Sequence, residues 1–482
     1  MRRKILVVLI TAVLSATFAC THTARKVERP QSSAVKRLHP SKLNYPPLEI
    51  KTPEAVDVAL GNGLEGFLIE DNEIPVVDVV LLIKTYYPAK EKYGLNEMTQ
   101  WVIRNGGTET WPSDKLNDEL EFIAASIEVW GGNLNTMVSF NCLKKDLSHV
   151  LEIFADLIMN PVFPEDKVEL KRKTMLEDIR RKNDQPRAVA RREYFKLIYK
   201  DHPYGWETTT SSVKAITRDD LVAFHQKYFH PNNAIIGISG DVTKDEIVAA
   251  LNEVLEGWDP ADVVIPDVPE IKEEAVKNYN YAFMDINQAY MMIGHLGINH
   301  KNPDRCTIDI MNFILGGGSF TSWITEKVRS DEGLAYSTGS RFTSDIWAKG
   351  AFYAYAQTKA DAYSRALQLI FKQVERMRNE GPTEEEVKKA IDSYLNSHVF
   401  DYESKSQVVR RMVRLRFQGL PVDTPEKDIG AYAKLTVADI RRVAQKYLHP
   451  DKFTVLVVGD AKQFDRPLSD FGEVNVIQLK EE

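Results

Sequence analysis

The sequence predicts an α+β fold of two homologous halves, each a mainly antiparallel sheet packed with helices. Three observations carry that prediction. The first is an internal repeat. Thr217, Asp220, Gln226, Lys227, Tyr228, His230, Pro231, Gly240 and Asp241 return without a gap as Thr436, Asp439, Gln445, Lys446, Tyr447, His449, Pro450, Gly459 and Asp460, at a constant offset of 219 residues. Such a run of identities indicates duplication, and so long a period means two like domains and not a solenoid. The second is order: in each half, short apolar runs with partial alternation are grouped apart from long helical stretches, the pattern of an α+β chain with hairpins. The third is composition, since 482 residues with 43% hydrophobic and 27% charged side chains suit ordinary globular domains.

Taken in order, residues 76–83 read as a buried strand. Leu95, Met98 and Val102 then recur at helical spacing, and Asn105, Gly106 and Gly107 end that helix. A second helix is expected at 115–126. Residues 127–142 alternate in part, as paired strands do, and helices follow at 146–159 and 164–182. Each repeat copy reads as a helix opened by Thr, a His-Pro break, and a strand closed by Gly-Asp, at 234–238 and 454–458. The second half gives a strand at 289–293, helices at 303–315 and 321–330, strands within 334–357, and helices at 361–379 and 383–397. The stretch from Pro260 to Pro269 supplies a linker. The domains expected are therefore 48–259 and 276–482, joined by 260–275.

The N-terminus carries a targeting signal. Arg2, Arg3 and Lys4 precede an apolar run from Ile5 to Phe18, and Ala19 and Cys20 follow, which reads as a signal peptide over 1–19. The run is shorter than the roughly 20 residues a spanning helix needs. A Cys straight after the cleavage point resembles a bacterial lipoprotein signal, which implies that Cys20 is lipidated and becomes the mature N-terminus. Thr17 stands where such signals usually place Leu, and plain secretion is the alternative. Thr21 in place of Asp resembles outer-membrane sorting, so the expected location is the cell envelope, on the outer membrane facing the periplasm. Residues 20–47 are polar and basic and read as a tether to that membrane. Nine Lys and Arg lie in residues 1–45 against Glu28 alone, which leaves about −15 on the body of a chain whose net charge is −7. An acidic body argues against nucleic-acid binding. Cys142 and Cys306 sit in no metal-binding spacing and read as buried free thiols, with a disulfide left open.

The chemistry turns on the helix between Gly94 and Thr108. Glu97, Gln100 and Trp101 fall within one turn and share a side. Their frame resembles the inverted zinc motif H-x-x-E-H of the insulinase/pitrilysin peptidases, with Glu97 and Trp101 at the two His positions and Gln100 at the general-base Glu. Further stretches match that family in order, among them Gly132-Asn133-Leu134-Asn135, Asp201-His202-Pro203-Tyr204-Gly205, Leu315-Gly316-Gly317-Gly318 and Gly333-Leu334-Ala335-Tyr336-Ser337. The resemblance covers nearly all of 48–470 and is to one subunit of the mitochondrial-processing-peptidase type. It implies that the two halves form half of a clamshell chamber, and it puts the third zinc ligand at Glu177.

Zinc hydrolysis needs three protein ligands, an open coordination position and a base. Two carboxylates without imidazole make a poor zinc site, and Gln100 cannot act as a base. Glu97 is expected to be solvated or paired with a basic side chain, and Trp101 to fill space where a metal would sit. The histidines offer no substitute. His225/His230 and His295/His300 are five apart, which on a helix means different sides, and His230 and His449 precede proline at matching repeat positions, as structural residues would. No G-x-S-x-G nucleophile motif appears. Zinc is therefore not expected in this chain, and the resemblance to two-chain members of the family implies that it sits in a partner subunit.

Arg329 and Tyr336 stand seven residues apart, at a helix end and in the following strand. The resemblance implies that such a pair reaches a zinc site from the subunit that lacks zinc. A phenol can donate to the oxyanion developing at a scissile carbonyl, and a guanidinium can hold a neighbouring charge. The competing structural reading packs Tyr336 on the core and sets Arg329 at a helix C-terminus. The resemblance also makes Asn135, Thr136 and Met137 part of an edge strand to which a peptide adds. Gly316, Gly317 and Gly318 match a glycine-rich loop at the chamber mouth, or form a turn needing unusual dihedrals. The function expected is a zinc-less subunit of a heterodimeric metallopeptidase, with a zinc-bearing homologue as partner and unfolded peptides as substrate. The rival is a non-catalytic envelope scaffold on the same fold.

Overall fold

The computed structural model describes residues 53–272 and 276–480. Cys20, the signal segment and the tether lie outside the described residues, as does part of the linker. Two six-stranded sheets organise what is described. The first contains β1 (Val56–Ala59), β2 (Glu65–Glu70), β3 (Val76–Lys84), β4 (Ser126–Gly131), β5 (Asn135–Leu143) and β6 (Ala234–Gly240), in the order β1-β2-β6-β3-β5-β4. The second contains β7 (Asn278–Phe283), β8 (Gln288–Leu296), β10 (Ala335–Phe342), β12 (Ala351–Lys359), β13 (Thr454–Gly459) and β14 (Val474–Ile477), in the order β10-β12-β8-β13-β7-β14. A separate two-residue pair joins β9 (Ile298–Asn299) to β11 (Ser344–Asp345).

Traced from its other edge, the second sheet repeats the first. β7, β13, β8, β12 and β10 occupy the places of β2, β6, β3, β5 and β4, while β1 and β14 fill the same outer place from opposite ends of the described chain. Seven of the ten pairings are antiparallel, so the sheets are mainly antiparallel as expected. The parallel pairings, β2/β6, β13/β7 and β14/β7, make them mixed.

The helices are α1 (Leu95–Gly106), α2 (Ser113–Phe122), α3 (Leu147–Met159), α4 (Glu165–Arg180), α5 (Pro186–Tyr199), α6 (Thr210–Ala215), α7 (Arg218–Tyr228) and α8 (Lys244–Val254) in the first half. The second half has α9 (Arg305–Asn312), α10 (Trp323–Thr325), α11 (Tyr363–Asn379), α12 (Glu384–Ser397), α13 (Lys405–Phe417), α14 (Thr424–Tyr432) and α15 (Val437–Tyr447). The repeated Thr217 and Thr436 both close capping boxes, with Asp220 and Asp439 answering them.

Three boundaries differ from the sequence prediction. Helix α2 stops at Phe122 because Ala124 takes a positive φ of 52°, and β4 then begins at Ser126. The stretch expected as one helix at 303–315 is α9 followed by a π-helical turn, Phe313–Gly317. The stretch expected at 321–330 is the short α10 followed by another, Glu326–Asp331.

One face of each sheet packs on helices of its own half; the opposite face is covered by a helix from the other. Val189, Tyr194 and Ile198 of α5 pack with Met292, Tyr353, Leu456 and Val458 of the second sheet. Val408, Val409 and Val413 of α13 pack with Phe67, Val80, Leu82 and Ile235 of the first. Pro186 and Lys405 begin these helices, again 219 residues apart, so repeat-equivalent helices are exchanged. This explains the near-continuous apolar run in β3. Val77, Val79, Leu81 and Ile83 face one core while Val80 and Leu82 meet the exchanged helix. Gly237 lets α13 approach, since a Cβ there would lie 2.4 Å from Val409 and 2.7 Å from Val413.

Candidate functional site

Helix α1 carries the degenerate metal positions. Gly107 ends it with φ at 72°, a conformation glycine takes without steric cost. Met98 and Val102 anchor it in the core, which fixes the opposite side as the site-facing one. Glu97 meets a base: Lys171 of α4, only 8% exposed, donates from Nζ to its Oε1 at 2.7 Å. Gln100 is buried, and its amide donates to the carbonyls of Gly132 at 3.1 Å and Asn135 at 3.2 Å and to Thr136 Oγ1 at 3.1 Å. Trp101 is half-buried against the core of the first sheet. Glu177 is exposed and pairs with Arg180 one turn along at 2.9 Å.

These residues do not fit zinc. The first ligand position is a carboxylate already engaged by an ammonium, the second is an indole with no lone pair to offer, and the third is tied to a guanidinium. The base position holds an amide that serves as a donor. Among the described residues no other group of three or more His, Cys, Asp or Glu could hold a metal ion.

The edge strand expected at Asn135, Thr136 and Met137 needs correction. These residues open β5, which is bonded on both sides, to β3 and to β4. Its backbone has no free edge for a peptide. The edge belongs to β4, where the Arg104 guanidinium takes the Ile127 carbonyl at 2.5 Å. In an antiparallel pair alternate residues turn their N–H and C=O outward. Val129 and Gly131 therefore share the side of Ile127, and Trp130 of this strand is exposed. Partial alternation revealed a hairpin but not which of its strands pairs onward.

Arg329 and Tyr336 come together. Tyr336 is 78% exposed and sits where the β10/β12 register shifts between Ala335 and Ser337, at the free edge of the second sheet. A bulge of this kind re-aims a side chain out of the pleat. The Arg329 guanidinium lies 5.5 Å from the Tyr336 ring centroid and 4.6 Å from that of Phe320. Phe320 is 59% exposed. Neither the guanidinium nor the phenol has an ion-pair or hydrogen-bond partner among the described residues. The packed alternative for Tyr336 is not what the fold contains. Phe320 escaped the sequence reading, which stopped at the glycines beside it. Those glycines have a packing reason: a Cβ on Gly316 would lie 2.5 Å from the Ser340 nitrogen, on Gly317 2.8 Å from Asn312 Nδ2, and on Gly318 2.7 Å from the Phe313 carbonyl.

The histidines serve the fold. His225 Nε2 donates to the Ile158 carbonyl at 2.8 Å, and burial holds its pKa down to about 4, so it stays neutral. His230 reaches the Asp259 and Gln226 carbonyls, and His295 Nε2 accepts from the His449 backbone N–H at 3.1 Å. Both described cysteines are free. Cys142 is buried, whereas Cys306 is only half-buried, beside Asp428 at 3.4 Å. Burial raises the two thiols, to about 12 and about 11.

Comparison with known proteins places the fold in a family. Residues 69–211 match the sequence model described as Insulinase (Peptidase family M16), and residues 215–394 match that described as Peptidase M16 inactive domain. A Helicobacter pylori protein named Non-peptidase homolog YmxG is 24% identical over 379 residues, 78% of this chain and 86% of that protein. An uncharacterized zinc protease of Mycobacterium leprae is 26% identical over 346 residues, 68% of this chain and 76% of that protein. Among solved structures, a peptidase M16 inactive domain from Pseudomonas fluorescens superposes with a TM-score of 0.78 at 23% identity, over 86% of this chain and 100% of that one. The periplasmic protease PqqL of Escherichia coli gives 0.71 at 16% identity, over 87% of this chain but 49% of that one. With the two family matches side by side and the metal motif replaced within the first, the chain belongs to the insulinase family of peptidases, as a homologue that is not catalytic alone.

Proposed function

We propose that this chain is the zinc-less subunit of a two-chain metallopeptidase, walling part of a peptide-holding chamber and lending Arg329 and Tyr336 to a zinc-bearing homologue. The observation that carries the reading is the exposed Tyr336 on a bulged edge with the half-buried Arg329 guanidinium over its ring, neither in an ion pair or hydrogen bond among the described residues, kept in a chain whose own metal positions are replaced. An oxyanion is stabilised by donors held in place beforehand, and Tyr336 supplies a hydroxyl while Arg329 supplies charge. The hydrolytic step belongs to the partner's intact H-x-x-E-H. The half-length match to PqqL supports this division, because a unit like this chain accounts for about half of that single polypeptide. The free edge of β4, beside Gln100 and Trp101, would hold an extended peptide by backbone hydrogen bonds. Lipidation at Cys20 would tether the pair to the outer membrane on its periplasmic side. No described helix is long and apolar enough to cross a membrane.

Recovery of the native chain from solubilised envelopes tests this. The expected result is co-purification of a homologue with H-x-x-E-H and zinc in proportion to that partner, with peptidase activity only when both are present. Recovery of the chain with no such homologue would instead support the second reading, a peptide-binding scaffold using the β4 edge.

A further inference from the structure

We infer that a cleft on the open face of the second sheet binds the acidic side chains of an extended peptide. The cleft, of about 370 Å³, lies where α5 leaves β8, β10 and β12 uncovered. Arg187 and Arg191 reach it from α5 and Arg341 from β10, with Tyr290, Tyr353 and Tyr355 among its walls. The sheet register builds it. Arg341 stands opposite Tyr353, and Gly339 opposite Tyr355, with both partners on β12. A Cβ on Gly339 would come 3.1 Å from the Tyr355 hydroxyl, so glycine leaves that ring its room.

The charge of this cleft sets it apart. No carboxylate lines it. None of its three guanidiniums meets an ion-pair or hydrogen-bond partner among the described residues; Arg191 only lies 5.6 Å over the Phe195 ring. The next arginine on the same helix, Arg192, is spoken for by Glu193 at 2.8 Å and Asn183 at 2.7 Å. Three unpaired guanidiniums in one concavity of a chain with net charge −7 form a local anion site, because a concave low-dielectric wall concentrates their field. Guanidinium forks match carboxylates bidentately, and tyrosine faces pack the methylenes of a glutamate.

That the carboxylates are carried on a peptide rests on the proposed function. Along β10, Arg341 lies five residues beyond Tyr336, or about 17 Å at the strand rise. A peptide whose scissile region lies at Tyr336 would thus offer the cleft side chains some four to six residues away. The preferred substrate therefore carries acidic residues at that remove.

The test uses the full chain without its partner, so its outcome is separate from that of the two-chain reading. Fluorescence anisotropy is measured with a glutamate-rich labelled peptide and with its twin in which glutamine replaces every glutamate. The expected result is binding of the first, with the twin weaker by about tenfold or more. Arg187→Gln/Arg191→Gln/Arg341→Gln should bring the glutamate peptide down to the level of its twin, while Arg180→Gln, an exposed arginine elsewhere, should not. Arg187→Gln and Arg341→Gln singly, each at an exposed position, give the same readout should the triple variant misfold. Equal binding of the two peptides, or wild-type affinity in the arginine variants, would overturn the inference. So would arginine-dependent binding of inorganic phosphate with no binding of the glutamate peptide.

Discussion

In the H-x-x-E-H frame that the sequence resembles, Gln100 takes the place of the general base, and in the fold it is a donor. Its amide stitches α1 to the β4–β5 hairpin through three acceptors. A carboxylate cannot donate to them. Gln100→Glu, the change that restores the motif's letter, should therefore destabilise the chain by about 1–3 kcal/mol in denaturant titration, leaving buried acceptors opposed by a charge. His225 gives a second residue-scale prediction. Its ordinary pKa of 6.5 falls to about 4 in the fold, by burial first of all. A depressed folded pKa contributes stability that is present above 6.5 and is lost as pH falls toward 4, by at most about 3 kcal/mol. Stability of His225→Gln should vary less across that window than that of the parent, by thermal melts at matched ionic strength. Part of this scale was legible: the replaced metal positions follow from the resemblance to the H-x-x-E-H frame, and Glu97 is expected to be either solvated or paired with a base. The identity of that base was not, because Lys171 lies 74 residues away and helical spacing says nothing about a neighbouring helix. Phe320 was missed for a like reason, since its meaning appears only once Arg329 lies over it.

Elements of the two halves were readable because duplication repeats their signals. The strands 234–238 and 454–458 and the Thr-capped helices before them stand close to where the sequence put them. The exchange of α5 and α13 was not readable. An apolar stripe tells that a helix is covered but not which sheet covers it, so the sequence picture of two joined domains omits that each completes the other's packing. The edge assignment failed in the same way, since alternation is equal on β4 and β5 while pairing differs. The exchange makes a direct prediction. Gly237→Ala would drive a methyl to within 2.4 Å of Val409, and Gly294→Ala one to 2.8 Å of the Tyr194 hydroxyl and 2.0 Å of the Phe352 carbonyl. Each should cost about 1–3 kcal/mol by overpacking, read as a lower unfolding midpoint. The loss should spread to both sheets, seen as faster hydrogen exchange in β6 and β8 alike, because each exchanged helix ties one half to the other.

The whole molecule keeps a peptidase fold with its metal positions turned to other uses. Glu97 is matched by Lys171, Gln100 holds a hairpin, and Trp101 packs on the core, while Phe320 and Tyr336 remain exposed, with the half-buried Arg329 lying over both rings. A chain that needed Phe320 and Tyr336 only for its own stability would have buried them. Substitution of either should accordingly leave folding nearly unchanged, within about 0.5 kcal/mol, as for other exposed positions. What should change is the activity of the assembly. The most direct measurement is the rate of peptide cleavage by a zinc-bearing homologue mixed with this chain, as wild type, Arg329→Ala or Tyr336→Phe. The account predicts that the wild-type mixture is active and that Tyr336→Phe lowers its rate by about 10²-fold, the scale for losing one oxyanion donor. Arg329→Ala should lower it as well, with assembly intact in both. Full activity in both variants, with the complex formed, would contradict it.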